Sequence, residues 1–267
     1  MLNTPHLFIT AVIFIVGLCF GSFLNVIVYR LPITRPLTAP PSCCSYCGKK
    51  LGPLELTPVL GYLILKGRCR GCGVKIGFNY PLVELLTGIL FTLNFFFYGL
   101  SIEFFIYVTL LFLLFAIAQI DLRHRIVPNS LVGAGLIIGL LFYLPLMLYP
   151  LLPVPEALVS QRAAGDGFLG LLLGAGIMLV IFLVSRGGMG AGDVKLMALI
   201  GLYVGLRGTA AVLFLGFLLG ALTGLFFIIT GRLTRKDALP FAPFLSLAAL
   251  IQVFWGELIW NWYTGWW

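Results

Sequence analysis

Long apolar runs separated by short polar segments make up most of this 267-residue sequence. A helix that crosses the hydrocarbon core of a bilayer needs about 20 apolar residues. The candidate runs lie near residues 7–29, 80–98, 103–121, 127–148, 167–186, 193–206, 208–230 and 241–261. Because 61% of the chain is hydrophobic and only 10% is charged, a soluble domain could not cover its own apolar surface. The pattern predicts an all-α polytopic membrane protein with about eight transmembrane helices.

The sixth run, near residues 193–206, is the weakest of the eight. It is short, and only Arg207 and Gly208 separate it from the seventh run. A tilted or partly re-entrant segment would also fit this pattern.

The basic residues orient the predicted helices. Eight crossings put both termini on one side and four loops on the other, and those loops hold 15 of the 17 Lys and Arg residues. The loops are 30–79, 122–126, 186–195 and 231–240. Positive charge marks the cytoplasmic side of a membrane protein, which puts these four loops in the cytoplasm. The net charge of +8 therefore reflects topology, and nucleic-acid binding is not expected.

The loop between the first two runs is long enough to form a module of its own. We divide the chain into a first transmembrane helix at 1–30, a cytoplasmic module at 31–79 and a helical bundle at 80–267. Within the module, the apolar stretch 54–65 contains Pro58 and Gly61 and is too short to span. It either lies on the membrane or forms a small core around a metal.

Four cysteines in this module have the spacing of a metal site. Cys44 and Cys47 form one C-x-x-C pair, Cys69 and Cys72 form a second, and each pair is followed by glycine. Zinc favours four thiolates in a closed tetrahedron, which leaves no open position for catalysis. The pattern predicts a structural zinc site in a reducing compartment. Two redox dithiols or disulfides are the alternative, and Cys43 could replace Cys44 as a ligand.

Asp121 and Asp193 stand apart from the other seven acidic residues. Asp121 ends the third apolar run and Asp193 opens the sixth, so the predicted topology puts both at the cytoplasmic end of the bundle. A carboxylate in this setting is costly and is retained where it faces a partner or a water-filled cavity. Two of them at one depth suggest peptide hydrolysis. In that reaction one ionised Asp takes a proton from water, while the other Asp is protonated and donates its proton to the carbonyl oxygen or the leaving amine. The pair shares one proton, and the sequence does not assign it.

The residues around the aspartates leave several interpretations open. Gly187, Gly188, Gly190 and Gly192 precede Asp193 and would let an extended substrate strand approach the main chain, although a simple turn between helices also fits. Lys195 and Arg123 each lie two residues beyond an aspartate. They either bias the pair electrostatically or mark the membrane boundary.

These features together resemble the bacterial type IV prepilin peptidases, also called prepilin leader peptidases/N-methyltransferases. The segments that carry the resemblance are FGSFLNV at 20–26, RLP at 30–32, the two C-x-x-C pairs, YPLVEL at 80–85, Asp121 with Pro128 seven residues later, GMGAGDVKL at 188–196 and PFAPF at 240–244. Presenilin-like intramembrane proteases share the Gly-x-Gly-Asp segment but not the cysteine module. Arg123 and Asn129 stand where family members often carry further aspartates.

The resemblance implies that Asp121 and Asp193 are the catalytic pair and that the substrates are prepilins and pseudopilins. It implies that they are cut at the cytoplasmic face of the bacterial inner membrane. It also implies methylation of the new N-terminus with S-adenosylmethionine, for which Glu84 and the cysteine module are candidate contributors. Two alternatives stay open. One is an intramembrane aspartyl protease with other single-span substrates, and the other is a transporter that uses the aspartates as ion sites.

Overall fold

The computed structural model describes residues 4–148, 164–185, 188–232, 234 and 239–265. Those residues form helices and connecting loops, without a β-strand beyond two isolated bridges. The helices are α1 Thr4–Arg30, α2 Pro53–Leu56, α3 Leu60–Ile64, α4 Asn79–Tyr98, α5 Ile102–His124, α6 Asn129–Leu148, α7 Ala164–Val184, α8 Ala191–Ile229 and α9 Ala242–Thr264. The chain divides into two compact units, residues 1–99 and residues 100–267. Gly187 of the glycine-rich segment lies outside the described residues.

Six of these helices are long and apolar enough to cross a membrane: α1, α4, α5, α7, α8 and α9. Helix α6 is a further apolar helix of the described chain. Helix α8 has 39 residues, which would extend for about 58 Å if it were straight. That is almost twice the thickness of the hydrocarbon core, so the conformation of α8 decides how often it crosses.

Helix α8 reverses its direction at Gly205. The backbone leaves the helical region there, with φ 74° and ψ −177°, a combination that only glycine adopts without strain. A β-carbon placed on Gly174 of α7 would lie 2.8 Å from the Met197 carbonyl oxygen and 3.2 Å from Thr209 Cγ2. Twelve residues of straight helix would instead hold Met197 and Thr209 about 18 Å apart. Helix α8 is therefore a helical hairpin.

Asp166 of α7 closes this hairpin. Its carboxylate contacts Gly205 and accepts a hydrogen bond of 3.0 Å from the Leu206 amide. That amide is among the first N–H groups of the second half of α8, which have no partner within their own helix. The sixth and seventh predicted spans are thus two arms of α8, and the break lies two residues before the predicted one at Arg207. With α8 counted as two arms, the predicted fold of about eight apolar helices is confirmed.

The first unit is built on an antiparallel pair of helices, α1 and α4. A β-carbon on Gly17 would lie 2.8 Å from Gly88 Cα, and one on Gly21 would lie 2.6 Å from Glu84 Cα. The Asn25 side chain donates to the Tyr80 carbonyl at 3.1 Å. Glycines that let two backbones approach this closely are typical of helix pairs in membranes.

The second unit has a core formed by α5, α8 and α9, with α7 packed on α8. The fully buried side chains include Leu110, Ile117, Ile120, Leu196, Leu199, Ile200 and Leu245. Helix α5 begins with Ser101, whose hydroxyl accepts from the Phe104 amide at 3.3 Å, as an N-cap does. This core holds the end of α5 and the beginning of α8, where the two aspartates lie.

Candidate metal centre and carboxylate pair

Each C-x-x-C pair lies in a short antiparallel turn. In the first turn, Cys44 accepts from the Gly48 amide and donates to the Lys49 carbonyl, both at 2.9 Å. The second turn repeats these bonds at the same length, with Cys69, Gly73 and Val74. Gly48 and Gly73 have φ of 70° and 69°, so glycine is needed after each second cysteine. The repeated sequence pattern thus folds into two repeated knuckles.

The two knuckles bring their four sulfur atoms together. All four Sγ atoms lie within 4.8 Å of one another, with Cys44 and Cys72 separated by 3.9 Å and Cys47 and Cys69 by 4.0 Å. Zinc–sulfur bonds of about 2.3 Å in a tetrahedron require sulfurs about 3.8 Å apart. The donor set and its spacing fit a structural zinc ion held by these four residues.

The sulfur geometry also bears on the alternatives to this ligand set. Sulfurs of different knuckles approach to 3.9 and 4.0 Å, so the four form one group, whereas a redox dithiol needs only the two cysteines of one C-x-x-C. Cys43 is exposed and is not part of the four-sulfur group. These observations favour Cys44 over Cys43 as the ligand.

One acidic side chain ties the first knuckle to α2. Glu55 accepts from the Gly52 amide at 2.7 Å and forms a salt bridge of 3.1 Å with Lys49. The hydrogen bond from Gly52, followed by the Lys49 ammonium, lowers the pKa of this carboxyl group. The Glu55 side chain is only 7% exposed, so the contact is part of the module's small interior.

Glu84 links the module to α4. Its Oε2 accepts from the Val59 amide at 2.8 Å, and the Ser22 hydroxyl of α1 also hydrogen-bonds to its carboxyl group. Val59 has φ 57°, an unusual conformation for a β-branched residue. These contacts give Glu84 an observed role in holding the loop between α2 and α3.

The second unit contains the two aspartates. Asp121 lies in the last turn of α5 and Asp193 in the first turn of α8, and their residues are 5% and 8% exposed. Their carboxyl groups are close enough for a direct Coulombic interaction, although 72 residues separate them in sequence. The fold therefore brings the two predicted residues together at buried helix ends.

Asp121 is held by a third helix that sequence reasoning did not assign to the site. Its Oδ2 accepts from the Ala242 amide, the first N–H group of α9, at 3.2 Å. A carboxylate is favoured at a helix N-terminus. The signal in the sequence was the segment PFAPF at 240–244, in which Pro243 occupies the first turn of α9.

The loop between α5 and α6 and the first residue of α6 contact the beginning of α8 on both sides of Asp193. A β-carbon on Gly192 would lie 2.8 Å from Val127 Cβ, and the Lys195 ammonium donates to Asn129 Oδ1 at 2.9 Å. Gly192 is thus a position of close approach, and Lys195 has a specific partner. Arg125 interacts electrostatically with Asp121, which leaves the membrane-boundary interpretation of Arg123 open.

Two protein-family models match the chain in different parts. The Bacterial Peptidase A24 N-terminal domain matches residues 15–98, which include the four-cysteine group. The Type IV leader peptidase family matches residues 105–225, which include Asp121 and Asp193. The two matches cover the module and most of the helical bundle.

The chain is also similar over nearly its whole length to curated proteins, each called prepilin leader peptidase/N-methyltransferase. The protein from Bacillus subtilis (strain 168) is 36% identical over 253 residues, which cover 95% of this chain and 97% of that protein. The one from Pseudomonas putida is 34% identical, with 96% and 93% covered, and the one from Legionella pneumophila is 31% identical, with 100% and 98% covered. No solved structure matches. This chain is a multi-pass membrane enzyme that belongs to the type IV leader peptidase family.

Proposed function

We propose that this enzyme is an aspartyl endopeptidase that removes the leader peptide of type IV prepilins and pseudopilins. Asp121 and Asp193 are its catalytic pair. The observation that carries the proposal is the proximity of two buried carboxyl groups at the ends of α5 and α8. Burying two carboxyl groups beside each other is costly, and such pairs are typical of functional sites.

In this mechanism one aspartate is ionised and accepts a proton from water, while the other is protonated and donates to the carbonyl oxygen of the scissile bond. The water attacks the carbonyl carbon, and the leaving amine takes up a proton from the pair. The Ala242 amide orients Asp121, and the close contact between Gly192 and Val127 sets the position of Asp193. Two carboxyl groups and one water therefore supply every proton transfer.

The substrate binds with its apolar helix in the bilayer and its leader at the cytoplasmic face of the inner membrane. The backbone of Gly188 and Gly190 is exposed beside Asp193, and an extended chain can lie against it without side-chain interference. The predicted excess of Lys and Arg in the loops at this end of the bundle supports the cytoplasmic orientation. Prepilins and pseudopilins are therefore the proposed partners, together with the lipid bilayer.

Methylation of the new N-terminus with S-adenosylmethionine is the second proposed activity. It is supported by the N-methyltransferase activity named for the relatives. The zinc held by Cys44, Cys47, Cys69 and Cys72 has a structural role in this proposal, since four sulfurs complete its coordination.

The proposal is tested with Asp121→Asn and Asp193→Asn, each reconstituted in membranes with an embedded prepilin. Both variants should lose cleavage by at least about 10²-fold, a typical contribution of general acid–base catalysis. Glu257→Gln is the matched control, because Glu257 is exposed on α9 and this change removes the same single charge. Full cleavage by either Asp variant would end the mechanism. A wild-type protein that cuts no prepilin and moves ions would favour the transporter alternative.

A further inference from the structure

The short helices α2 and α3 turn large apolar side chains outward instead of into a core. Five of them are between 43% and 62% exposed: Leu54, Leu56, Leu60, Leu63 and Ile64. They lie within 11 residues of sequence, which makes a continuous apolar stretch on a module of modest size. Exposed apolar clusters of this kind mark interaction surfaces. We call residues 53–65 the apolar segment.

A hydrogen bond fixes the level of the apolar segment relative to α4. The Val59 amide, in the middle of the segment, donates to Glu84 Oε2 at 2.8 Å. Glu84 lies five residues after Asn79, where α4 begins, and five helical residues span about 7.5 Å. Helices that lie in the interface of a bilayer are buried by about 5–10 Å. The segment therefore lies at the level of the interface rather than above it.

Aromatic residues mark the same boundary. Phe78 and Tyr80 are 65% and 48% exposed at the beginning of α4, and the Tyr62 and Phe78 rings meet edge to face with centroids 6.3 Å apart. Tyrosine and tryptophan are enriched where a transmembrane helix enters the headgroup region, and Tyr62 and Tyr80 fit this pattern. Tyr62 belongs to α3, so this contact joins the apolar segment to the residues that mark the interface.

The charge next to the apolar segment is strongly positive. The exposed basic residues of the module include Lys50, Lys66, Arg68, Arg70 and Lys75. Among residues 6–99, the pair formed by Lys49 and Glu55 is the only salt bridge. None of these five cations forms a salt bridge there, and Arg70 interacts electrostatically with Glu55 at longer range. Clusters of Lys and Arg beside a transmembrane helix attract anionic lipid headgroups.

We propose that the apolar segment is an interfacial anchor, buried in the membrane leaflet where α1 ends and α4 begins. The partner is a bilayer with anionic headgroups: the lipid acyl chains cover the outward leucines, and the basic residues of the knuckles contact the headgroups. The zinc centre then keeps the basic residues next to the anchor. This role is independent of peptide cleavage and goes beyond the proposed function. It also decides between the two interpretations of the apolar stretch that the sequence left open.

The anchor is tested with the photo-crosslinking residue p-benzoylphenylalanine, placed in the full-length protein at Leu63 or, as the matched control, at Tyr46. Tyr46 lies on the first knuckle and is 79% exposed, so it differs from Leu63 in location rather than in accessibility. The protein is reconstituted in nanodiscs of phosphatidylcholine and phosphatidylglycerol, and lipid adducts are counted by mass spectrometry. Position 63 should form at least tenfold more lipid adducts than position 46. Equal yields at the two positions, or adducts to protein in place of lipid at position 63, would overturn the anchor.

A second measurement tests whether the basic residues select anionic lipids. Adducts at position 63 should contain more phosphatidylglycerol than its share of the bilayer, and the enrichment should fall in the double variant Lys50→Gln, Lys66→Gln, which removes two of the five exposed cations. Wild-type adducts that match the bulk lipid composition would overturn the anionic preference. Zinc content is measured for every protein, and Leu60 is a second labelling position if substitution at Leu63 lowers it. The crosslinking yields do not depend on prepilin cleavage. The result of the Asp121 and Asp193 variants therefore leaves the anchor untouched, and each proposal can fail without the other.

Discussion

The candidate metal centre of residues 1–99 and the carboxylate pair of residues 100–267 are assembled over very different distances along the chain. Four sulfurs within residues 44–72 meet because two local turns repeat the same hydrogen bonds. Two carboxyl groups 72 residues apart meet because α5, α8 and α9 pack into one core. The hydrogen bond from Ala242 to Asp121 spans 121 residues.

This difference predicts which substitutions should disrupt each site. The metal centre depends on short-range spacing and on the ligands themselves, so substitutions at a few cysteines should remove it while the helices persist. The carboxylate pair depends on how helices approach one another, so a single added methyl group at a helix contact should disturb it. The predictions below use this contrast, beginning with the largest expected effect.

Loss of the zinc ligands tests whether the metal centre is a local structure. In the double variant Cys44→Ser, Cys69→Ser, zinc should be lost completely and trypsin should cut within residues 44–75, because four thiolates are needed for a structural site. The helix content measured by circular dichroism should stay close to that of the wild type. Cys43→Ser is the control and should keep its zinc. A similar loss of zinc in the Cys43 variant would contradict the ligand assignment.

A methyl group at Gly192 tests whether the carboxylate pair depends on helix approach. The new Cβ atom would lie 2.8 Å from Val127 Cβ, which forces the beginning of α8 or the preceding loop to move. Because misplacement by about 1 Å can cost about 10²-fold in rate, Gly192→Ala should reduce prepilin cleavage at least tenfold while zinc content is unchanged. Gly176→Ala is the matched control, since a Cβ atom there meets no other atom within 4 Å. Equal activity of the two variants would show that the contact does not position Asp193.

Removal of the cap on the α8 hairpin should have a smaller effect. Asp166→Ala deletes the acceptor for the Leu206 amide, and loss of a helix cap costs about 0.5–2 kcal/mol. The midpoint of thermal unfolding in detergent should fall. Below the unfolding transition, the zinc content of the variant should equal that of the wild type. Asp166→Asn keeps an acceptor oxygen and should lose less stability than Asp166→Ala. If both variants unfold with the wild-type midpoint, the hairpin does not need this cap.

The weakest expected effect concerns the bond between Lys195 and Asn129. This hydrogen bond is exposed, and a typical hydrogen bond contributes about 0.5–1.5 kcal/mol. Lys195→Met should therefore lower kcat for cleavage by about two- to tenfold, with little change in KM. Asn129→Asp replaces the bond with an ion pair and should retain activity. A larger loss in Asn129→Asp than in Lys195→Met would rule out a positioning role for the pair.

The structure also shows which expectations could be read directly from residue patterns. Apolar run lengths gave the helices because a bilayer sets the required length of any crossing segment. The break between the sixth and seventh spans was predicted at Arg207, two residues after its position in the structure. Arg207 and Gly208 were chosen because they interrupt the apolar run. The actual turn is at Gly205, where the positive φ and the cap from Asp166 are possible. Only the packing of α7 against both arms of α8 shows that the turn is at Gly205.

On its own, the sequence determined the helical class, the apolar segments and the four cysteines of the metal centre. These properties depend on composition and short spacing, which are local. Only the tertiary structure decided that the sulfurs of the two C-x-x-C pairs meet in one group, that Arg125 interacts with Asp121, and that the Ala242 amide reaches the site. The physical reason is that these contacts depend on the rotation and offset of packed helices and turns. Residues far apart in the chain determine those quantities jointly, and no single segment encodes them.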